Sequence, residues 1–147
     1  MKKIMMVLAL LLTVGTTFAY TGEEAVSRRA LNSFKSEFAG ATDAAWTAGR
    51  NYYKVAFTMD DQKLFAFYNT DGEFMAVTRY ISSFQLPLTL QGGLKKSYSN
   101  YWISDLFEMA SNNETAYYVT LENADTKIIL RSVDGNDWSV YQKSKKA

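Results

Sequence analysis

The sequence contains no cysteine and no histidine, and a single proline, Pro87. Without cysteine no disulfide can form, so the fold has to be held by its core. Without histidine the commonest general base and metal ligand is missing. With both absent, neither a Ser-His-Asp nor a Cys-His site can be assembled. A phosphate-cradling loop is lacking too, because Gly92-Gly93 has none of the flanking pattern such a loop needs. Charge of either sign is not in surplus, with 16 basic against 15 acidic residues. The basic excess that nucleic acid requires is therefore absent, and no nucleic-acid partner is expected.

What remains for catalysis is thin. Lys95, Lys96 and Ser97 are adjacent, but neighbouring residues on a helix do not face each other. Asp60-Asp61 offers two carboxylates, the number glycosidase chemistry needs. They fall in an expected turn, where Asp is common for backbone reasons. Asp134-Gly135-Asn136-Asp137 has the look of a calcium loop but lacks the closing Glu of the twelve-residue pattern, and a hairpin turn explains it better. No catalytic residue, no metal site and no cofactor are expected, which leaves an enzyme of unfamiliar type as the minor alternative.

Residues 1–19 have the features of a secretory leader. Lys2 and Lys3 precede an apolar run from Ile4 to Val14, and small side chains at Thr17 and Ala19 suit a signal peptidase. The run is short of the roughly 20 residues needed to span a bilayer. Cleavage after Ala19 leaves 128 of the 147 residues and turns the formal net charge from +1 to −1. The expected location is periplasmic or secreted, with no stable membrane insertion after cleavage.

The remaining chain is rich in aromatic residues, with Tyr 10, Phe 9 and Trp 3. Thr21-x-x-Glu24 reads as a capping box, opening a helix with its buried stripe at Val26, Ala30, Phe34 and Phe38. Gly40 stops it. A short apolar segment, Ala44 to Trp46, leads to a turn at 48–51. Strands follow at 52–58, 63–69 and 73–81, with turns at Asp60-Asp61 and Asp71-Gly72. After a linker near 82–86, Pro87 suits the first position of a second helix. Its stripe includes Leu90, Leu94 and Tyr98, with a first turn frayed by Gly92 and Gly93. Beyond Trp102 and Ile103 the chain becomes extended. Strands are expected at 117–122, 127–132 and 138–142, with the last two joined at Asp134-Gly135.

The two halves repeat one order of parts. Tyr53-x-Val55-x-Phe57 matches Tyr117-x-Val119-x-Leu121 at an offset of 64, as Lys63 matches Lys127, and the Asp-Gly turns match at 63. The expected architecture is α+β: repeats at 20–81 and 82–147, each a helix followed by an antiparallel meander, together forming one sheet with both helices on one face. Strand alternation turns Tyr53, Val55, Phe57, Leu64, Ala66 and Tyr68 towards the helix, with Tyr117, Val119, Leu121, Ile128 and Leu130 doing so in the second half. It turns Tyr52, Lys54, Phe65, Phe67, Tyr118, Thr120, Ile129 and Arg131 outward. Aromatic residues mixed with cations suit a protein interface, so these eight are the candidate partner-binding residues. The opposite assignment, with Phe65 and Phe67 in the core, satisfies the alternation as well. So does a face that packs on a second copy.

This ordering, with Ala44-x-Trp46, Tyr53-x-Val55-x-Phe57, Ala66-x-Tyr68-x-x-Asp71-Gly72, Leu86-Pro87 and Ile103, resembles the PepSY-like, β-lactamase-inhibitor-like family of periplasmic proteins over nearly all of the chain after residue 19. The resemblance implies a tandem αβ fold whose concave sheet grips a target protein, and an inhibitory or protein-binding role. The disulfides of the secreted inhibitor are missing here, and no target-inserting loop can be matched. The leading expectation is a non-catalytic periplasmic protein-binding module, with another protein as partner. The alternative is a module binding a small ligand or lipid between sheet and helices.

Overall fold

The computed structural model describes residues 20–147, so the leader-like segment and its cleavage point lie outside the described residues. The described residues divide into two units, the first ending at Thr78 and the second Arg79–Ala147.

In the first unit, strand β1 (Tyr20–Thr21) is followed by helix α1 (Arg28–Glu37) and strands β2 (Thr42–Ala48), β3 (Tyr52–Met59) and β4 (Gln62–Asn69). Strand β5 (Phe74–Tyr80) runs through the unit boundary. Consecutive strands from β1 to β5 pair antiparallel. The helix starts later than the capping-box pattern predicts. Thr21 pairs with Thr47, and the Gly22 amide donates to the Trp46 carbonyl at 2.9 Å. The sheet edge thus takes the residues that would have opened the helix. Glu24 falls in a 3₁₀ turn, Glu23–Ala25, and Ser27 is the cap, its Oγ accepting from the Ala30 amide at 3.3 Å.

From there the stripe behaves as the spacing dictates. Ala30 and Phe34 are buried with Val26, Trp46, Val55, Phe57, Ala66 and Tyr68. Phe34 meets Trp46 edge-on at 5.4 Å and Phe57 at 5.0 Å between ring centroids. Full burial of one such side chain is worth about 1.5–3 kcal/mol, so this cluster fixes which sheet face α1 covers. The Asp60-Asp61 turn places both residues at positive φ, 51° and 60°, the geometry of a two-residue hairpin loop. Their carboxylates therefore stand where the backbone shape favours Asn, Asp or Gly. Gly72, with φ 82°, packs directly on α1, where an added Cβ would lie 2.7 Å from the Ala30 amide nitrogen. Ser33 Oγ donates to the Gly72 carbonyl at 3.0 Å.

In the second unit, a 3₁₀ turn (Ser83–Gln85) precedes helix α2 (Leu88–Ser97) and strands β6 (Trp102–Ser111), β7 (Glu114–Glu122), β8 (Thr126–Ser132) and β9 (Ser139–Lys145). These strands form an antiparallel meander. Pro87 is the N-cap rather than the first helical residue. Gly92 and Gly93 lie mid-helix, and the helix is continuous for ten residues. Gly93 has a spacing role: the Trp138 ring lies against it, and Trp138 Nε1 donates to the Leu90 carbonyl at 2.9 Å. The helix start is held by Gln91, whose Nε2 donates to the Leu86 and Phe84 carbonyls at 2.8 and 3.3 Å. Leu90 and Leu94 bury against Leu106, Val119, Leu121, Ile128 and Leu130.

Asp134 closes its turn by accepting the Asn136 and Asp137 amides at 2.8 and 3.0 Å. Those bonds hold its carboxyl below its usual range and bind it to backbone amides. Among the described residues no three His, Cys, Asp or Glu side chains group as metal ligands would, and no helix is long and apolar enough to cross a membrane.

Candidate functional site

In each unit the helix covers one sheet face, and the candidate residues lie on the other. In the first unit, Lys54 pairs with Phe67 across β3 and β4, and Ala56 with Phe65. The Lys54 ammonium stands 4.8 Å from the Phe65 centroid and 5.9 Å from that of Phe67, in cation–π range. Tyr52 covers Phe67 from the side, ring centroids 6.2 Å apart. Partial burial lowers the pKa of Lys54. The result is a pre-stacked layer in which Tyr52, Lys54 and Phe65 remain half-buried.

The second unit builds a similar layer. Phe107 stacks on Tyr118 at 5.1 Å with planes 18° apart, and Tyr141 meets Tyr118 edge-on at 5.9 Å. Arg131 lies 5.7 Å from the Tyr118 centroid and pairs with Glu114 at 3.4 Å. Burial pushes the Tyr118 hydroxyl up to about 12, against a smaller opposing pull from Arg131.

Four of the eight candidates are not surface residues. Phe67 and Tyr118 are 1% exposed, and Thr120 and Ile129 are 5% exposed. Their side chains do point away from the helix cluster, but they are buried on that side. For Phe67 and Tyr118 the physical reason is lateral cover, since long side chains on a pleated face lie across their cross-strand neighbours. Tyr52, Lys54, Phe65 and Arg131 are the accessible part. Phe107 and Tyr141 belong to the same layer and were missed. The signal for Phe107 is the alternation Asp105, Phe107, Met109 in a stretch read only as extended.

The units also carry grooves at the end of each helix. One of about 280 Å³ in the first unit is lined by Glu23, Leu31, Phe34, Lys35, Phe38 and Trp46 among others. One of about 370 Å³ in the second unit is lined by Leu94, Lys95, Tyr98, Tyr101, Ile103 and Leu121 among others. Lining positions 31, 34, 35, 38, 39 and 41 recur as 91, 94, 95, 98, 99 and 101, so the grooves are two versions of one feature.

No family model matches the sequence, and no curated protein does. Solved structures do match in fold. A BLIP-like protein from Bacteroides fragilis is similar with a TM-score of 0.69 and 19% identity, over 82% of this chain and 86% of that one. A DUF2874 family protein from Bacteroides ovatus gives 0.71 and 16%, over 82% and 87%. A protein proposed to be periplasmic, from Bacteroides eggerthii, gives 0.69 and 13%, over 82% and 88%. The chain has the BLIP-like α+β fold that the family resemblance implies.

Proposed function

We propose that the protein is a non-catalytic, periplasmic protein-binding module of the PepSY-like, β-lactamase-inhibitor-like kind, inhibiting an envelope or secreted enzyme through its helix-free sheet faces. The observation that carries this reading is the aromatic–cation layer, built once in each unit around Lys54 and around Arg131. Tyrosine and arginine held in place before contact lose little freedom on binding, which is the chemistry of interface hot spots. The fold shared with a BLIP-like protein and with one proposed to be periplasmic supports the same reading, as does the leader-like start.

The test is capture from periplasmic extract by the wild type, by Lys54→Glu and by Arg131→Glu. A target bound by the wild type should be held about tenfold more weakly by at least one variant. A target retained equally by all three would place the binding surface elsewhere. Phe67→Asp is unsuitable, because a charge at a buried position reports folding. The alternative, a small-ligand or lipid module, draws its support from the grooves.

A further inference from the structure

We propose that the groove at the end of α2 binds a small apolar monoanion, a carboxylate carried on an alkyl or aryl body of about a dozen non-hydrogen atoms. This inference is independent of the sheet-face reading. The size follows from the volume of about 370 Å³, at roughly 30 Å³ for each atom the size of a water molecule. Leu94, Leu121 and Ile103 supply aliphatic wall, and Tyr98 and Tyr101, edge-on at 5.9 Å, supply aromatic wall. Phe84 stands at the mouth, 87% exposed, a large apolar cost unless something covers it.

The polar lining sets the sign of the charge. Among the described residues no Asp or Glu lines this groove, while Lys95, Ser83 and Ser99 do. Lys95 makes no ion pair among the described residues. The Gln91 side-chain nitrogen is already committed to backbone carbonyls. The first-unit groove is the internal control. It keeps the lysine, as Lys35, but is also lined by Glu23 and is smaller, at about 280 Å³, so an anion would meet a carboxylate there.

A lysine in the last turn of a helix also has an ordinary role, offsetting the helix dipole. That role would alter stability and leave ligand affinity unchanged. Decanoate and its neutral counterpart decanamide, titrated into the protein and followed by NMR, separate the two. Decanoate should shift Tyr98, Tyr101 and Ile103 saturably, with one site per chain. Lys95→Gln should weaken it about threefold to fivefold, and Lys35→Gln should leave it unchanged. Ile103→Glu, at a position 41% exposed and so tolerant of charge, should abolish binding. Three results would each overturn the proposal: no saturable shift at millimolar decanoate, equal affinity for decanamide, or shifts centred on Leu31 and Phe38.

Discussion

Tyr68 is fully buried, and its hydroxyl has no hydrogen-bond partner among the described residues. Its ring packs against Trp46 and Phe74 at 5.8 Å each, so the ring stabilises the core while the hydroxyl opposes it. A buried polar atom left unpaired costs about 1–3 kcal/mol. Tyr68→Phe should therefore raise stability by about 1 kcal/mol in urea unfolding, and a loss of stability would show that the hydroxyl is satisfied. The alternation that sets Leu64, Ala66 and Tyr68 on one face and Phe65 and Phe67 on the other was legible in the sequence, and the structure places the first set on the helix side. What alternation does not encode is cover. It sets Phe67 on the face opposite Ala66 and Tyr68 and says nothing of Lys54 and Tyr52 lying over it, which is why an expected surface residue is a buried one.

Helix α2 shows how local propensity and packing divide the work within one element. Gly92 and Gly93 are adjacent and equally poor helix formers, and from sequence alone they weaken the first turn together. They are not equivalent in the fold. A Cβ on Gly92 meets nothing within 4 Å, whereas one on Gly93 comes within 3.2 Å of Trp138 Cδ1. Gly92→Ala should stabilise by about 1 kcal/mol. Gly93→Ala should yield less or nothing, because Trp138 must yield and its bond to the Leu90 carbonyl lengthens. Paired urea curves check this, and equal gains would remove the spacing role from Gly93. Helix α1 errs at its start for a related reason. Thr21-x-x-Glu24 is a valid local signal, yet strand pairing at the sheet edge takes the same residues. The helix stripe could be read because periodicity accumulates over ten residues. The start could not, because a cap depends on two or three.

For the molecule as a whole, the repeat was the most legible feature, and the structure refines it. The helices correspond at an offset of 60, as Arg28–Glu37 and Leu88–Ser97, while the following strands correspond at 64. The difference lies in the hairpin after each helix, since Trp46 pairs with Val55, nine residues on, whereas Leu106 pairs with Val119, thirteen residues on. A shared property of the units governs their response to alkali. Each holds a tyrosine whose hydroxyl burial keeps protonated, Tyr68 in the first and Tyr118 in the second. Tyr118 ionises near 12 when folded and near 10 when unfolded. The folded state then binds more protons than the unfolded state across that window. Its stability should be intact below about pH 10 and fall as pH rises towards 12. Absorbance titration near 295 nm should show Tyr68 and Tyr118 ionising last, together with unfolding, with the Tyr80 and Tyr117 hydroxyls, which burial also raises, among the late ones. Early ionisation of all the tyrosines would contradict the burial of Tyr68 and Tyr118.

The placement of the three tryptophans has an optical consequence. Trp46 is 3% exposed in the core of the first unit. Trp138 packs on the core of the second, and Trp102 is largely in solvent, beneath the Lys146 ammonium at 4.7 Å. Emission from the first should be blue-shifted, and emission from the third close to that of the free side chain. With Trp102 replaced by Phe and Trp46 or Trp138 removed in turn, each variant would carry a single native tryptophan, reporting on one half. Whether the halves melt together or one after the other would then be read from colour alone, with no label attached.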